Sequence, residues 1–186
     1  MGIDPSTSCM GVTIIDVNIK TPTPFKLVYM NTIFGDKGLY DIPVQYDDIA
    51  GTKVLARSYA MMRSAGMLLD IFDPDTGICE DNFLGMSPLT FKQLIQMVSL
   101  LLSKFAEKGV HLSYVLPRLA KQIVGADFKG STKEDVHKGL MDYDWLDCGD
   151  IDLGVVDEHS SDSGVITLYR CEQIAKNYGV FPEWRL

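Results

Sequence analysis

The order of apolar and polar positions predicts two neighbouring strands near the start of the chain, followed by a long helix. Residues 10–16 and 25–34 are rich in β-branched and aromatic side chains, and prolines and other turn formers lie between them, a composition typical of paired strands. From about residue 46 to residue 69, side chains recur at helical spacing until residues 73–77 break the pattern. The positions expected to face the core are Val54, Leu55, Ser58, Tyr59, Met62, Ala65 and Leu69.

The middle of the chain carries the clearest helical pattern. A short strand is expected at residues 77–80, and Ser87 with Pro88 then forms a good N-cap and first-turn pair for a second long helix. Gly109 supplies a C-terminal stop for that helix. Its apolar stripe is Phe91, Leu94, Ile95, Val98, Leu101, Leu102 and Phe105.

Strand and helix signals alternate through the last third of the chain. Residues 110–116 alternate as a strand does, Pro117 opens a short helical piece, and residues 131–134 resemble a capping box before another helix. Residues 142–158 are expected to form an acidic loop and residues 161–178 a terminal helix. Strands first, then alternating helices and strands, indicate an α/β architecture.

Length and composition predict one domain, residues 1–186, with a sizeable core, because 46% of the residues are hydrophobic and 23% are charged. No apolar run approaches the roughly 18 to 20 residues of a membrane span, so we expect a protein of the cytoplasm. The cysteines are scattered without a CxxC pair, which favours neither a zinc knuckle nor a disulfide framework.

The net charge of −8 argues at first against nucleic-acid binding, because phosphate neutralisation normally needs a basic surface. Residues 142–158 contain seven acidic residues and no Lys or Arg, and therefore account for −7 of the −8. Residues 118–138 carry five basic and three acidic residues. The acidity is local, and a basic face can exist beside it.

Acidic residues stand at three points where they could share a metal ion. Asp4 ends a short apolar start before a turn, Glu80 ends the predicted strand 77–80, and His159 and Asp162 lie three apart at the start of the last helix. Taken singly, Asp4 could be a structural cap and Glu80 a solvated loop carboxylate. Together, oxygen ligands with one imidazole suit Mg²⁺ or Mn²⁺, and two such ions suit phosphodiester hydrolysis.

Four segments, in order, resemble the RuvC-type Holliday-junction resolvases. Residues 2–11 (GIDPSTSCMG) look like the first-strand motif, usually a variation on GIDPGTxxxG, and residues 80–83 resemble the second acidic motif, with an aromatic residue three after the glutamate. Residues 116–141 resemble the P-x-x-V-K-x-x-V-x-G-x-G-x-A-x-K-x-x-V segment, and residues 158–166 the E-H-x-x-D-A-x-A-x block. The matches in the third segment are Pro117, Lys121, Val124, Lys133 and Val136.

The resemblance implies an RNase H-like fold, with a mixed central sheet of about five strands flanked by helices. It implies a homodimeric endonuclease that cuts four-way DNA junctions symmetrically, using two Mg²⁺ or Mn²⁺ ions in each active site. The implied catalytic and metal-binding residues are Asp4, Glu80, His159 and Asp162. The implied DNA-contacting residues are Phe83, Arg118, Lys121 and Lys133.

The sequence departs from the family pattern at Ser6, at Gly85 and Met86, and at Ser163 and Gly164. The acidic stretch resembles divergent phage proteins of the family more than the bacterial pattern. A nuclease for flaps, forks or other branched DNA, and a non-catalytic RNase H-like scaffold, remain alternatives. A phosphate-handling enzyme of the sugar-kinase and actin type also shares GIDPST, but such chains need two domains of this kind.

Overall fold

The computed structural model describes residues 1–39, 52–81 and 87–180. Within them a single mixed sheet of six strands has the order β5-β4-β1-β2-β3-β6. Strand β1 pairs antiparallel with β2 and parallel with β4, β2 pairs antiparallel with β3, and the β4–β5 and β3–β6 pairs are parallel. The strands are β1 (Gly2–Pro5), β2 (Cys9–Val17), β3 (Phe25–Phe34), β4 (Thr76–Glu80), β5 (His111–Val115) and β6 (Leu146–Asp147).

This architecture confirms the predicted α/β class and mixed sheet; the two-residue strand β6 raises the expected number of about five strands to six. The helices of the described ranges lie on both faces of the sheet. They are α1 (Lys53–Phe72), α2 (Pro88–Glu107), α3 (Pro117–Gln122), α4 (Lys133–Met141) and α5 (Glu158–Asn177). None of these helices is long and apolar enough to cross a membrane.

Alternation along the strands divides the core into two layers. Ile3 of β1 and Met10 and Val12 of β2 are fully buried on the face covered by α1 and α2. Ile15 and Ile78 point to the opposite face, where they join the core beneath α3, α4 and α5. Because successive side chains of a strand point to opposite faces, Asp4 and Glu80 share the face of α5.

The starts of two helices follow the sequence closely. The Ser87 side chain accepts a hydrogen bond from the Thr90 backbone N–H, with Pro88 in the first turn, as predicted for α2. Gly109 follows the end of α2 with φ +71°, a left-handed conformation that favours glycine. The capping box of α4 uses Thr132 and Asp135, one residue later than predicted.

The predicted buried face of the first helix is wrong in part. Ala60, Met61 and Leu68 are fully buried, whereas Tyr59 and Met62 are only half-buried. The buried face of α1 carries small side chains, which let α1 and α2 approach closely. At Gly66, an added Cβ atom would lie 3.0 Å from Lys104 Cδ of α2. The part of the prediction over residues 46–51 lies outside the described residues.

The acidic stretch is more structured than the predicted loop. It contains β6 and a short 3₁₀ turn, Leu153–Val155, and α5 begins at Glu158, three residues earlier than expected. Apolar residues hold this segment in place: Leu153 is buried, and the ring of Trp145 packs edge-on to Phe25 at a centroid distance of 5.7 Å. The acidic side chains therefore belong to a segment that packs against the sheet.

Candidate metal and nucleic-acid site

Two carboxylates meet at one edge of the sheet because β1 and β4 are parallel neighbours. Ile3 pairs with Cys79, so Asp4 and Glu80 are the next residues of the two strands and end at the same side. Asp4 is only 8% exposed, and Glu80 is half-buried. The parallel pairing brings these two predicted site residues together from positions far apart in the chain.

Helix α5 lies against β1 and β2 at the distance of backbone contact. A Cβ atom on Gly11 would collide with the carbonyl oxygen of His159, and one on Gly2 would collide with the Thr167 side chain. Thr13 Oγ1 and Ser163 Oγ lie 2.7 Å apart in a buried hydrogen bond across the same interface. The absence of side chains on the two glycines lets the first turns of α5 reach the carboxylate edge.

His159 contacts Asp4 directly. Its Nδ1 atom lies 2.9 Å from Asp4 Oδ2, and its Nε2 atom lies 3.7 Å from Glu158 Oε1. The hydrogen bond to Asp4 raises the pKa of the imidazole above its ordinary value, although burial acts in the opposite direction. The two side chains therefore form an ion pair at the edge of the sheet when the imidazole is protonated.

Glu80 and Asp162 lie in an environment that disfavours their charged forms. Burial, followed by the negative charges of Asp4 and Asp162, raises the pKa of Glu80 to about 8. Burial, followed by the charge of Asp4, raises the pKa of Asp162 to about 6. Lys121 and Lys133 act against both shifts. The three acids and two lysines therefore share one electrostatic neighbourhood.

Asp157 has a different role from the neighbouring acids. Its Oδ1 atom accepts hydrogen bonds from the Thr32 hydroxyl at 2.5 Å and from the Ser160 backbone N–H at 2.9 Å. The carboxylate therefore caps α5 and ties the helix to β3. This capping fixes the orientation of the turn that carries His159.

The remaining predicted residues are placed differently. Arg118 is exposed in the first turn of α3, and its charge is not among the principal influences on Glu80 or Asp162. Phe83 lies outside the described residues. Sequence patterns do not single out Glu158, whose Oε2 atom lies 2.6 Å from Lys133 Nζ. No pattern along the chain predicts an ion pair between residues from two separate helices.

The chemistry of the cluster suits a divalent cation, although its groups are not yet arranged as ligands. Within residues 1–39, 52–81 and 87–180, no three carboxylate, thiol or imidazole groups stand in the geometry of a metal site. The pKa values of Glu80 and Asp162 are raised first by burial and then by the charge of Asp4, and a hard cation would offset both effects. The donors are mostly carboxylate oxygens, as Mg²⁺ and Mn²⁺ prefer.

The architecture has the RNase H-like fold in the form found in RuvC-type resolvases, as the sequence resemblance predicted. A Thermus thermophilus RuvC structure matches with a TM-score of 0.64 and 18% identity over 96% of this chain and 95% of that chain. T. thermophilus RuvC in complex with a Holliday junction substrate matches with a TM-score of 0.66 and 16% identity, over 96% and 94% of the two chains.

The yeast mitochondrial Holliday junction resolvase Ydc2 matches with a TM-score of 0.65 and 16% identity, over 95% of this chain and 80% of that chain. No protein-family model matches the sequence, and no curated protein matches it significantly. At identities of 16% to 18% these similarities establish the fold.

Proposed function

We propose that this protein is a divalent-metal-dependent endonuclease that resolves four-way DNA junctions by symmetric cleavage. The observation that carries the proposal is the convergence of Asp4, Glu80 and Asp162, from three distant parts of the chain, beside Lys121 and Lys133. The fold shared with RuvC, including a structure with a Holliday junction substrate, supports the same assignment.

In this proposal Asp4, Glu80, His159 and Asp162 would hold two Mg²⁺ or Mn²⁺ ions. When bound, such ions would supply the Lewis acidity that hydrolysis of a phosphodiester needs. The protein's own contribution is to present the carboxylate oxygens at one sheet edge, with Glu80, whose pKa is raised to about 8, losing its proton when an ion binds. Lys121 and Lys133 neutralise phosphate charge beside the cluster, as fixed cations do at phosphoryl sites.

A non-catalytic scaffold is a poorer explanation of the same cluster. Buried carboxylates that repel one another lower the stability of the folded chain unless they serve a further purpose. Asp4 enters the cluster from β1 and Asp162 from α5, and neutral residues would pack there at lower cost. Repulsion among buried carboxylates is expected in a site that binds cations, because a bound cation relieves it.

We further propose that residues 1–186 act as one domain and assemble as a homodimer in the cytoplasm. A dimer with two-fold symmetry would present two sites to the two symmetric strands of a four-way junction. Phe83 would contact the junction centre, and Arg118 the flanking backbone, as the resemblance to the family implies. The dimer and the DNA contacts of Phe83 and Arg118 both follow from the proposed activity.

The test is cleavage of a panel of labelled DNA structures with Mg²⁺, with Mn²⁺ and with EDTA. The panel contains a four-way junction, a flap, a fork, an RNA–DNA hybrid and plain duplex. Paired symmetric nicks in the four-way junction are expected with either metal and not with EDTA. Preferential cutting of flaps or forks would show that the substrate is another branched DNA. If no structure is cut in a metal-dependent way, the proposed nuclease activity is refuted.

A further inference from the structure

The ion pair between Lys133 and Glu158 stands at the rim of the carboxylate cluster. Lys133 is the first residue of α4 and Glu158 the first residue of α5, and their charged atoms lie 2.6 Å apart. The side chains are 54% and 49% exposed. An exposed pair of this kind contributes little to stability and exchanges readily for another partner.

The packing of α4 on α5 does not depend on this ion pair. Val136 and Leu140 of α4 are buried in the same core as Val165 of α5. His137 Nδ1 also lies 2.8 Å from the hydroxyl of Ser161, which is buried. The two helices are therefore held together one turn away from Lys133 and Glu158, which leaves the rim pair free to open.

The ammonium group of Lys133 lies near enough to the cluster for their charges to influence one another. Its charge acts on Glu80 and Asp162, and the charge of Asp4 acts on Lys133 in turn. A phosphodiester positioned at these carboxylates would meet Lys133 as its nearest exposed cation on α4. In the free protein, that cation is occupied by a carboxylate of the same chain.

We propose that Glu158 occupies the position of a DNA phosphate on Lys133 in the free protein, so that DNA must displace this carboxylate before it engages the site. The inference rests on the proposed nuclease function and concerns how that site selects its substrate. Competition by Glu158 lowers the affinity for any single phosphate contact. A substrate that makes many contacts at once, as a branched junction does, overcomes the competition, whereas weakly bound duplex does not.

The consequence is measurable as affinity and as salt dependence. Glu158→Gln removes the competing charge and frees Lys133, so binding of a labelled four-way junction in EDTA should tighten by roughly two- to fivefold, the range of one exposed ion pair. The freed lysine then releases a counterion when DNA binds, so the plot of log K against log salt should steepen by up to about 0.9. Plain duplex should gain at least as much as the junction.

Two control variants separate this mechanism from a general change of charge. Glu134→Gln removes an acid that lies beside Lys133 at the start of α4, without breaking the Lys133–Glu158 pair. Glu107→Gln breaks a pair with Lys104 of similar length, 2.5 Å, on α2. Neither change should tighten DNA binding as Glu158→Gln does.

A double-mutant cycle with Lys133→Ala completes the experiment. In the Lys133→Ala background, Glu158→Gln should give no gain in affinity, because no cation remains to be freed. A gain that persists without Lys133, an equal gain from Glu134→Gln, or no gain from Glu158→Gln would overturn the inference while leaving the nuclease intact. A lower melting temperature with weaker binding in Glu158→Gln would show a structural ion pair instead. Failure of the wild-type protein to bind any of the DNA structures would overturn both proposals.

Discussion

The Nδ1 atom of His159 lies 2.9 Å from Oδ2 of Asp4, a contact that is an ion pair when the imidazole is protonated. Asp4 strengthens the hold on that proton, which raises the pKa of His159, and a metal ion that uses both residues has to displace the proton. Metal affinity should therefore rise with pH through the raised pKa of His159. Titration of the protein with Mn²⁺ by calorimetry, at several pH values and in buffers of different ionisation enthalpy, measures both the affinity and the proton release.

His159 should also influence the choice of metal. Replacing it by aspartate substitutes an oxygen donor for nitrogen, and oxygen donors favour the harder ion. We expect His159→Asp to retain cleavage of four-way junctions and to shift the preference from Mn²⁺ towards Mg²⁺, as measured by initial rates with each metal. Inactivity with both metals would contradict this expectation.

The carboxylates should be required for cutting and dispensable for binding. Asp4→Asn and Glu80→Gln keep the size of each side chain and remove its charge, so metal-dependent cleavage should fall by about a hundredfold or more, the scale on which loss of a transition-state charge contact acts. Junction affinity, measured by fluorescence anisotropy in EDTA, should be kept or improved because repulsion of the DNA falls. Undiminished cleavage by either variant would exclude that residue from the site.

The same acids should make the metal-free protein less stable as the pH rises. Between the ordinary pKa of 4.5 and the folded-state pKa of about 8, Glu80 binds more protons in the folded than in the unfolded chain. The stability contributed by neutral Glu80 is therefore full at low pH and is lost as the pH rises through about 8. In EDTA at pH 8, Glu80→Gln should raise the melting temperature by a few degrees, since about 1 kcal/mol corresponds to roughly 2 to 4 °C for a chain of this size.

A comparison of pH values provides the control for this prediction. At pH 5 the advantage of Glu80→Gln should shrink, because the wild-type carboxyl is already neutral there. Asp162→Asn should behave in the same way over a lower range, since the pKa of Asp162 is raised to about 6. An advantage that does not change with pH would point to packing rather than charge.

Lys121 should contribute to DNA affinity through its charge. It lies in α3 and acts on Glu80 and Asp162, so Lys121→Ala should weaken junction binding and reduce the slope of log K against log salt by about 0.9. Lys26→Ala is the matched control, because Lys26 lies at the start of β3, paired with Asp16 at the far end of β2. Equal effects of the two variants would mean that only the net charge matters.

The close contact between α5 and the sheet predicts that Gly11→Ala damages the whole site. The added Cβ atom would collide with the His159 carbonyl, so α5 must move, at an expected cost of about 1 to 3 kcal/mol. Both the melting temperature and cleavage should fall, whereas Ser8→Ala, in the exposed turn before β2, should change neither. Normal stability of Gly11→Ala would contradict the contact.

Local patterns predicted the elements that carry part of the cluster. Asp4 and Glu80 lie on the two short strands expected for them, and Ser87 caps α2 as expected, whereas the start of α5 at Glu158, capped by Asp157, was not predicted. The approach of α5 could not be predicted in this way, because it depends on Gly2 and Gly11 facing a helix about 150 residues later.

The short ordered elements within the acidic loop could not be predicted for a related reason. Its charges dominate the composition, but Leu153 and the ring of Trp145 determine its structure by packing on the core beneath α5. The buried face of α1 was also difficult to predict, because close helix packing selects small side chains there rather than the largest ones. Long-range packing decides both features, and no local pattern encodes it.

The contact between α5 and the two glycines predicts how this chain tolerates random mutation. In a saturation library scored separately for cellular abundance and for junction cutting, substitutions at Glu80 and Asp162 should abolish cutting in variants that accumulate normally. Substitutions at Gly2 and Gly11 should instead lower the cellular abundance of the protein. Positions that look equally intolerant in an activity screen would thus separate into those that perform the chemistry and those that allow the backbone to hold it in place.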